Sequence, residues 1–250
     1  MKKALLTAII CTFAALQSCS SGKRSFATAM KGTETTNSTA EYTAVIREIA
    51  DKGEFWNTLF TLVNIGSEKE NVCISPLSAQ LALSMTAAGA TGETQKQMYD
   101  AMLLTGDVNK SSKELIGNIT APNEQCEVKI ANSIWINEGF KVKSPFVDVN
   151  KQMYDAEVRN LDFSSSKALS TINNWASDKT HGLIPQVLQS VSPSAAMYLL
   201  NALYFKGIWQ EDYKFDKKNT QPEDFTNADG SVTKVQMMNQ TNNYAFLSFR

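Results

Sequence analysis

The stretch "AAMYLLNALYFKGIW", residues 195–209, decides the fold. From Ala195 to Phe205 it is apolar at both parities, the pattern of a strand covered on both faces. One amide, Asn201, interrupts it. Burying an amide without a partner is costly, so a core strand that carries one implies a second polar group beside it. The apolar run then gives way to Lys206, Gly207 and Trp209.

Working outward from this strand, helical and extended patterns alternate without any repeat. Phe55, Leu59 and Leu62 fall on one helical face, with Trp56, Phe60 and Val63 beside it. "NVCI" (71–74) reads as a short strand. In "SPLSAQLALSMTAAGA" (75–90), Ser75 suits an N-cap and Pro76 the first helical turn. Leu77, Leu81, Met85 and Ala88 continue a buried stripe, and Gly89 and Gly92 end it. "ETQKQMYDAML" is a further helix. "EVKIANSIWI" (127–136) alternates and gains β-branched residues, so it reads as a strand. A second Ser-Pro opening, Ser144-Pro145, starts another helix, and "EVRNLDF" (157–163) is extended. "ALSTINNWASDKTHGLI" forms an amphipathic helix ending near Gly182. "SVTKVQMM" and "NYAFLSF" close the chain as strands. Helices come first, then a mixture, then strands, an α+β order rather than βαβ alternation.

The N-terminus predicts export. "MKKALLTAIICTFAALQSC" places Lys2 and Lys3 before an apolar run, Ala4 to Leu16, that is too short to span a bilayer comfortably. It ends in "LQSC", which resembles a bacterial lipobox with Cys19 as the lipidated residue; an ordinary secretory signal is the alternative. Residues 1–18 are thus expected to be a lipoprotein signal peptide and 19–40, small and polar, a flexible tether. The expected location is the cell envelope or its exterior, anchored through lipid on Cys19. Of 250 residues, the net charge of -1 gives no basic footprint for nucleic acid. Cys73 and Cys126 remain in the folded part, more simply as buried free thiols than as a disulfide. No CxxC or Cys/His cluster suggests zinc, and no other cofactor is indicated.

Taken together, several motifs resemble the serpin family in collinear order. They are "NVCISPLSAQLALSMTAAGATGET" (71–94), "ANSIWI" (131–136), "INNWASDKTHGLI" (172–184), "LLNALYFKGIWQEDYKF" (199–215) and "NTQPEDFTNADGSVTKVQMMNQ" (219–240). The resemblance runs from about residue 41 to 250 and implies a serpin-like α+β domain with large mixed and antiparallel sheets. It implies that Asn201 belongs to the shutter beneath the central sheet, near serines matching Ser75 and Ser78, and that Trp209 is the tryptophan of the breach. These roles are conformational, and no residue is catalytic. The implied activity is inhibition of a target protease of the serine or the cysteine class. The protease cuts an exposed loop, and the loop inserts into the sheet as a new strand. A non-inhibitory, serpin-like binding or structural lipoprotein is the alternative. The chain stops at Arg250, before the stretch that would hold the reactive loop and the shutter histidine. It is therefore expected to be a truncated domain, inactive alone.

Enzyme readings are weak. Ser164-x-x-Lys167, "SDK" (177–179) and "KTHG" (179–182) superficially resemble penicillin-binding motifs, but they crowd into one short stretch and the third lacks Lys-Thr-Gly. His181, the single histidine, has no GxSxG elbow to serve. It sits at a helix exit, where a cation meets the negative end of the dipole.

Overall fold

The computed structural model describes residues 9–13, 55–64, 72–209 and 214–241. Six α-helices are described: α1 (Phe55–Asn64), α2 (Pro76–Ala87), α3 (Gly92–Ala101), α4 (Val108–Ile119), α5 (Ser144–Tyr154) and α6 (Ala168–Lys179). The strands are β1 (Ile9–Phe13), β2 (Cys126–Asn137), β3 (Ala156–Leu161), β4 (Met197–Gly207), β5 (Thr220–Thr226) and β6 (Val232–Met238). A mixed sheet has the order β1-β4-β2-β3, and β5 and β6 form a separate antiparallel pair. β2 runs antiparallel to β4 and parallel to β3.

Strand parity sorts the core into two clusters on opposite faces of the sheet. Trp135, Tyr198, Leu200 and Ala202 point toward α6 and pack on Ile172, Trp175 and Ala176. Ile134, Ile136 and Leu199 point the other way and pack on Leu81, Ala82 and Met85 of α2, with Tyr154. β4 is therefore covered on both faces, as its unbroken apolar pattern requires.

Local chemistry explains the helix boundaries. Ser75 caps α2, its hydroxyl oxygen accepting from the Ser78 amide at 3.2 Å, with Pro76 in the first turn. Ser144 is the first residue of α5 rather than its cap, which is Lys143. α4, whose Val108, Leu115, Ile116 and Ile119 recur at helical spacing, is capped by Asp107 through the Lys110 amide at 3.1 Å. The strand expected at 71–74 is corrected: Val72–Ile74 is irregular and has no ladder partner among the described residues. Cys73 and Cys126 are free, but Cys73 is exposed and Cys126 intermediate, not buried as expected. The expected strand at 243–249 and the tether at 19–40 lie outside the described residues.

At the exit of α2, Gly89 lets α5 approach closely. A Cβ there would stand 2.7 Å from Phe146 Cδ2 and 2.9 Å from its Cε2. Gly89→Val should therefore cost about 1–3 kcal/mol by forcing the ring aside. Urea unfolding checks this, and recovery of stability in Gly89→Val/Phe146→Ala would place the strain at this contact.

α6 is also tied to the edge of the sheet. Glu157 of β3 pairs with Lys179 at 2.5 Å and with Arg159 at 2.6 Å. Partial burial raises the Glu157 carboxyl, but the Lys179 hydrogen bond and the nearby positive charges outweigh it and hold it below its ordinary value. A lowered carboxylate pKa contributes stability at neutral pH that is lost as pH falls through that lowered value. The acid-induced loss of stability should accordingly be smaller in Glu157→Gln than in the unmodified chain, as read by urea unfolding across the acid range.

Candidate functional site

The polar centre of the sheet is built by register. β2 and β4 place Asn132 directly opposite Asn201, on the face toward α2. Asn201 is 1% exposed and Asn132 2%. Asn201 Nδ2 donates to Asn132 Oδ1 at 2.7 Å. Asn132 Nδ2 in turn donates to the Tyr154 backbone carbonyl at 2.7 Å, fastening the amide pair to the end of α5. Asn201 Oδ1 is buried with no hydrogen-bond partner among the described residues. In native structures most such groups are paired, so this carbonyl marks a place where a donor belongs.

Tyr154 anchors the far end of the relay. It is fully buried, and its hydroxyl donates to Asn109 Oδ1 at 2.7 Å. Burial pushes its phenol up to about 12, so it stays neutral at any physiological pH.

The serines implied by the resemblance lie at the head of α2, both buried. Their hydroxyls bond each other at 2.9 Å. The described hydrogen bond of Asn201 runs to Asn132, and those of Ser75 and Ser78 stay within the cap. Asn132 and Tyr154 are the residues that motif reading did not single out. The signal was parity: Asn132 shares its face with Ile130, Ile134 and Ile136, so it is the polar residue on an apolar stripe.

Trp209 lies just past the last residue of β4, 60% exposed, with its ring edge-on to Phe215 at 6.1 Å. Cys19 lies outside the described residues. Ser164 Oγ donates to Asp162 Oδ1 at 2.6 Å in the turn before α6, so its described partner is a turn carboxylate rather than Lys167.

Residues 50–250 match the family profile described as Serpin (serine protease inhibitor). The chain is 33% identical to human neuroserpin over 198 residues, covering 76% of this chain and 48% of that protein. Among solved structures, the thermophilic serpin tengpin in its latent state aligns with a TM-score of 0.65 and 35% identity, over 81% of this chain and 53% of that one. AtSerpin1 of Arabidopsis, in a native stressed conformation, aligns with a TM-score of 0.68 and 29% identity, over 78% of this chain and 52% of that one. The chain belongs to the serpin family. It spans about half the length of the curated relatives it matches. Serpins are protease inhibitors rather than enzymes, and some family members do not inhibit.

Proposed function

We propose that this chain is the N-terminal part of an exported, lipid-anchored inhibitor of serine-class proteases. The observation that carries this reading is the outer edge of β4. That edge is an antiparallel strand acceptor, since Ile9–Phe13 pairs along it opposite Leu199–Leu203. In a complete domain the inserting strand would be the protease-cleaved loop. The protease serine oxygen attacks a loop carbonyl, the peptide bond breaks, and the amine leaves with a proton. The resulting acyl ester is carried off as the loop joins the sheet, and the new ladder bonds and buried area drive that step.

Two further features support it. The unpaired Asn201 carbonyl is where a shutter donor from the rest of the domain would enter. Two of the solved relatives stand in different conformations, one latent and one native stressed. Cleavage before Cys19 would remove Ile9–Phe13 and leave the β4 edge to the loop.

The test is to express the full reading frame and mix it with a panel of serine proteases. An adduct that survives denaturing electrophoresis is the expected result. Cleavage without an adduct favours the non-inhibitory binding or structural lipoprotein. For the anchor, intact mass after bacterial expression should show cleavage before Cys19 plus lipid, and Cys19→Ala should abolish both.

A further inference from the structure

The single histidine of the chain occupies an unusual position. His181, just past α6, has φ of +52°, a left-handed conformation uncommon outside glycine, in which asparagine, aspartate and histidine are enriched. Its ring nevertheless has defined neighbours. It stands edge-on to Tyr204 with centroids 4.5 Å apart. Its Nε2 is 3.0 Å from Lys129 Nζ, and that ammonium also lies 5.9 Å from the centroid of the Tyr204 ring. Lys129 and Tyr204 are direct cross-strand partners on β2 and β4. One imidazole thus joins the exit of α6 to both strands of the central seam.

An ammonium has only donors, so in this contact Nε2 is the acceptor, a role that a neutral ring with its proton on Nδ1 can fill. An imidazolium has no acceptor and would face the Lys129 charge. We propose that His181 is a proton-released pin, fastening the exit of α6 to the β2–β4 seam when neutral and letting go when protonated.

The charged and titratable groups around it are few. β2 contributes Glu127 and Lys129, with Glu127 accepting from Lys129 at 2.7 Å. β4 contributes Tyr204 and Lys206, the latter opposite Glu127 in register. Asp178 and Lys179 at the end of α6 and Asp155 after α5 line the same cleft. Lys179 is engaged by Glu157, which leaves Lys129 as the cation in contact with the ring.

The segment it holds reports on it directly. The Thr180 amide donates to Ala176 O at 3.1 Å, Gly182 to Ser177 O at 2.7 Å and Leu183 to Thr180 O at 3.1 Å. Hydrogen exchange of the full chain, corrected for intrinsic rates, should show these amides losing about threefold in protection at pH 5.5 relative to pH 7.5. The amides of β4 should hold constant. Asn tolerates the left-handed backbone and does not titrate. In His181→Asn the ratio should therefore be flat. Lys129→Met should bring protection at pH 7.5 down toward the pH 5.5 level. Equal protection at both pH values in the unmodified chain overturns the proposal, including the case where the imidazolium moves onto Glu127. The same pH response in His181→Asn also overturns it, by assigning the change to the carboxylates.

Discussion

Trp135→Ala should lower the unfolding free energy of the chain by about 3–5 kcal/mol, among the largest effects of any single truncation in its core. Trp135 is 1% exposed and sits at the middle of the α6-facing cluster, edge-on to Trp175 with centroids 6.4 Å apart. Its indole also donates to Ser133 Oγ at 3.0 Å, and Ser133 is fully buried. Alanine would thus leave a cavity under α6 and a buried hydroxyl without its donor. Trp135→Phe should recover much of the packing but not the hydrogen bond, and so cost clearly less. Urea unfolding with an unchanged slope is the measurement. A loss for Trp135→Ala below about 1.5 kcal/mol would mean that α6 collapses onto the sheet without the indole.

The second large effect is an ordering. Asn132→Ala should destabilise the chain by about 2–4 kcal/mol, more than Asn201→Ala at about 1–3 kcal/mol. Asn201→Ala removes a carbonyl that already lacks a partner and leaves one acceptor, Asn132 Oδ1, without its donor. Asn132→Ala leaves the whole Asn201 amide buried and takes a donor from the Tyr154 carbonyl. The double variant should cost less than the sum of the singles, since each deletion removes the group that the other leaves behind. Equal costs, or Asn201→Ala costing more, would show that the relay is not the main partner of Asn201. In a complete domain the same substitutions should also raise the fraction of latent or polymeric protein on heating.

What was legible in the sequence follows from how local each signal is. The Ser75-Pro76 opening is a matter of neighbouring residues, and it gave the start of α2. The oddity of Asn201 was visible because its surroundings are uniformly apolar. Its partner was not, because Asn132 lies 69 residues away and meets it only through the pairing of two strands. The motif resemblance named Ser75 and Ser78 for that neighbourhood, and the described bonds instead join the serines to each other. In α4 the apolar residues Val108, Leu115, Ile116 and Ile119 recur at helical spacing but are outnumbered by polar ones, and its cap, Asp107, is a common residue type. The contacts of His181 with Lys129 and Tyr204 again depend on register.

The opposed amides at 132 and 201 have a mechanical consequence. Sliding β4 by one residue along β2 would turn its apolar set to the wrong face. Sliding by two would keep the faces but carry each amide opposite a hydrocarbon side chain. The joint between β2 and β4, eleven residue pairs long, therefore behaves as a keyed plate, able to tilt or travel as a unit but not to shear. The joint on the far side of β4 is five pairs long. If this sheet opens, that is the side on which it gives way, and the plate carries α6 with it.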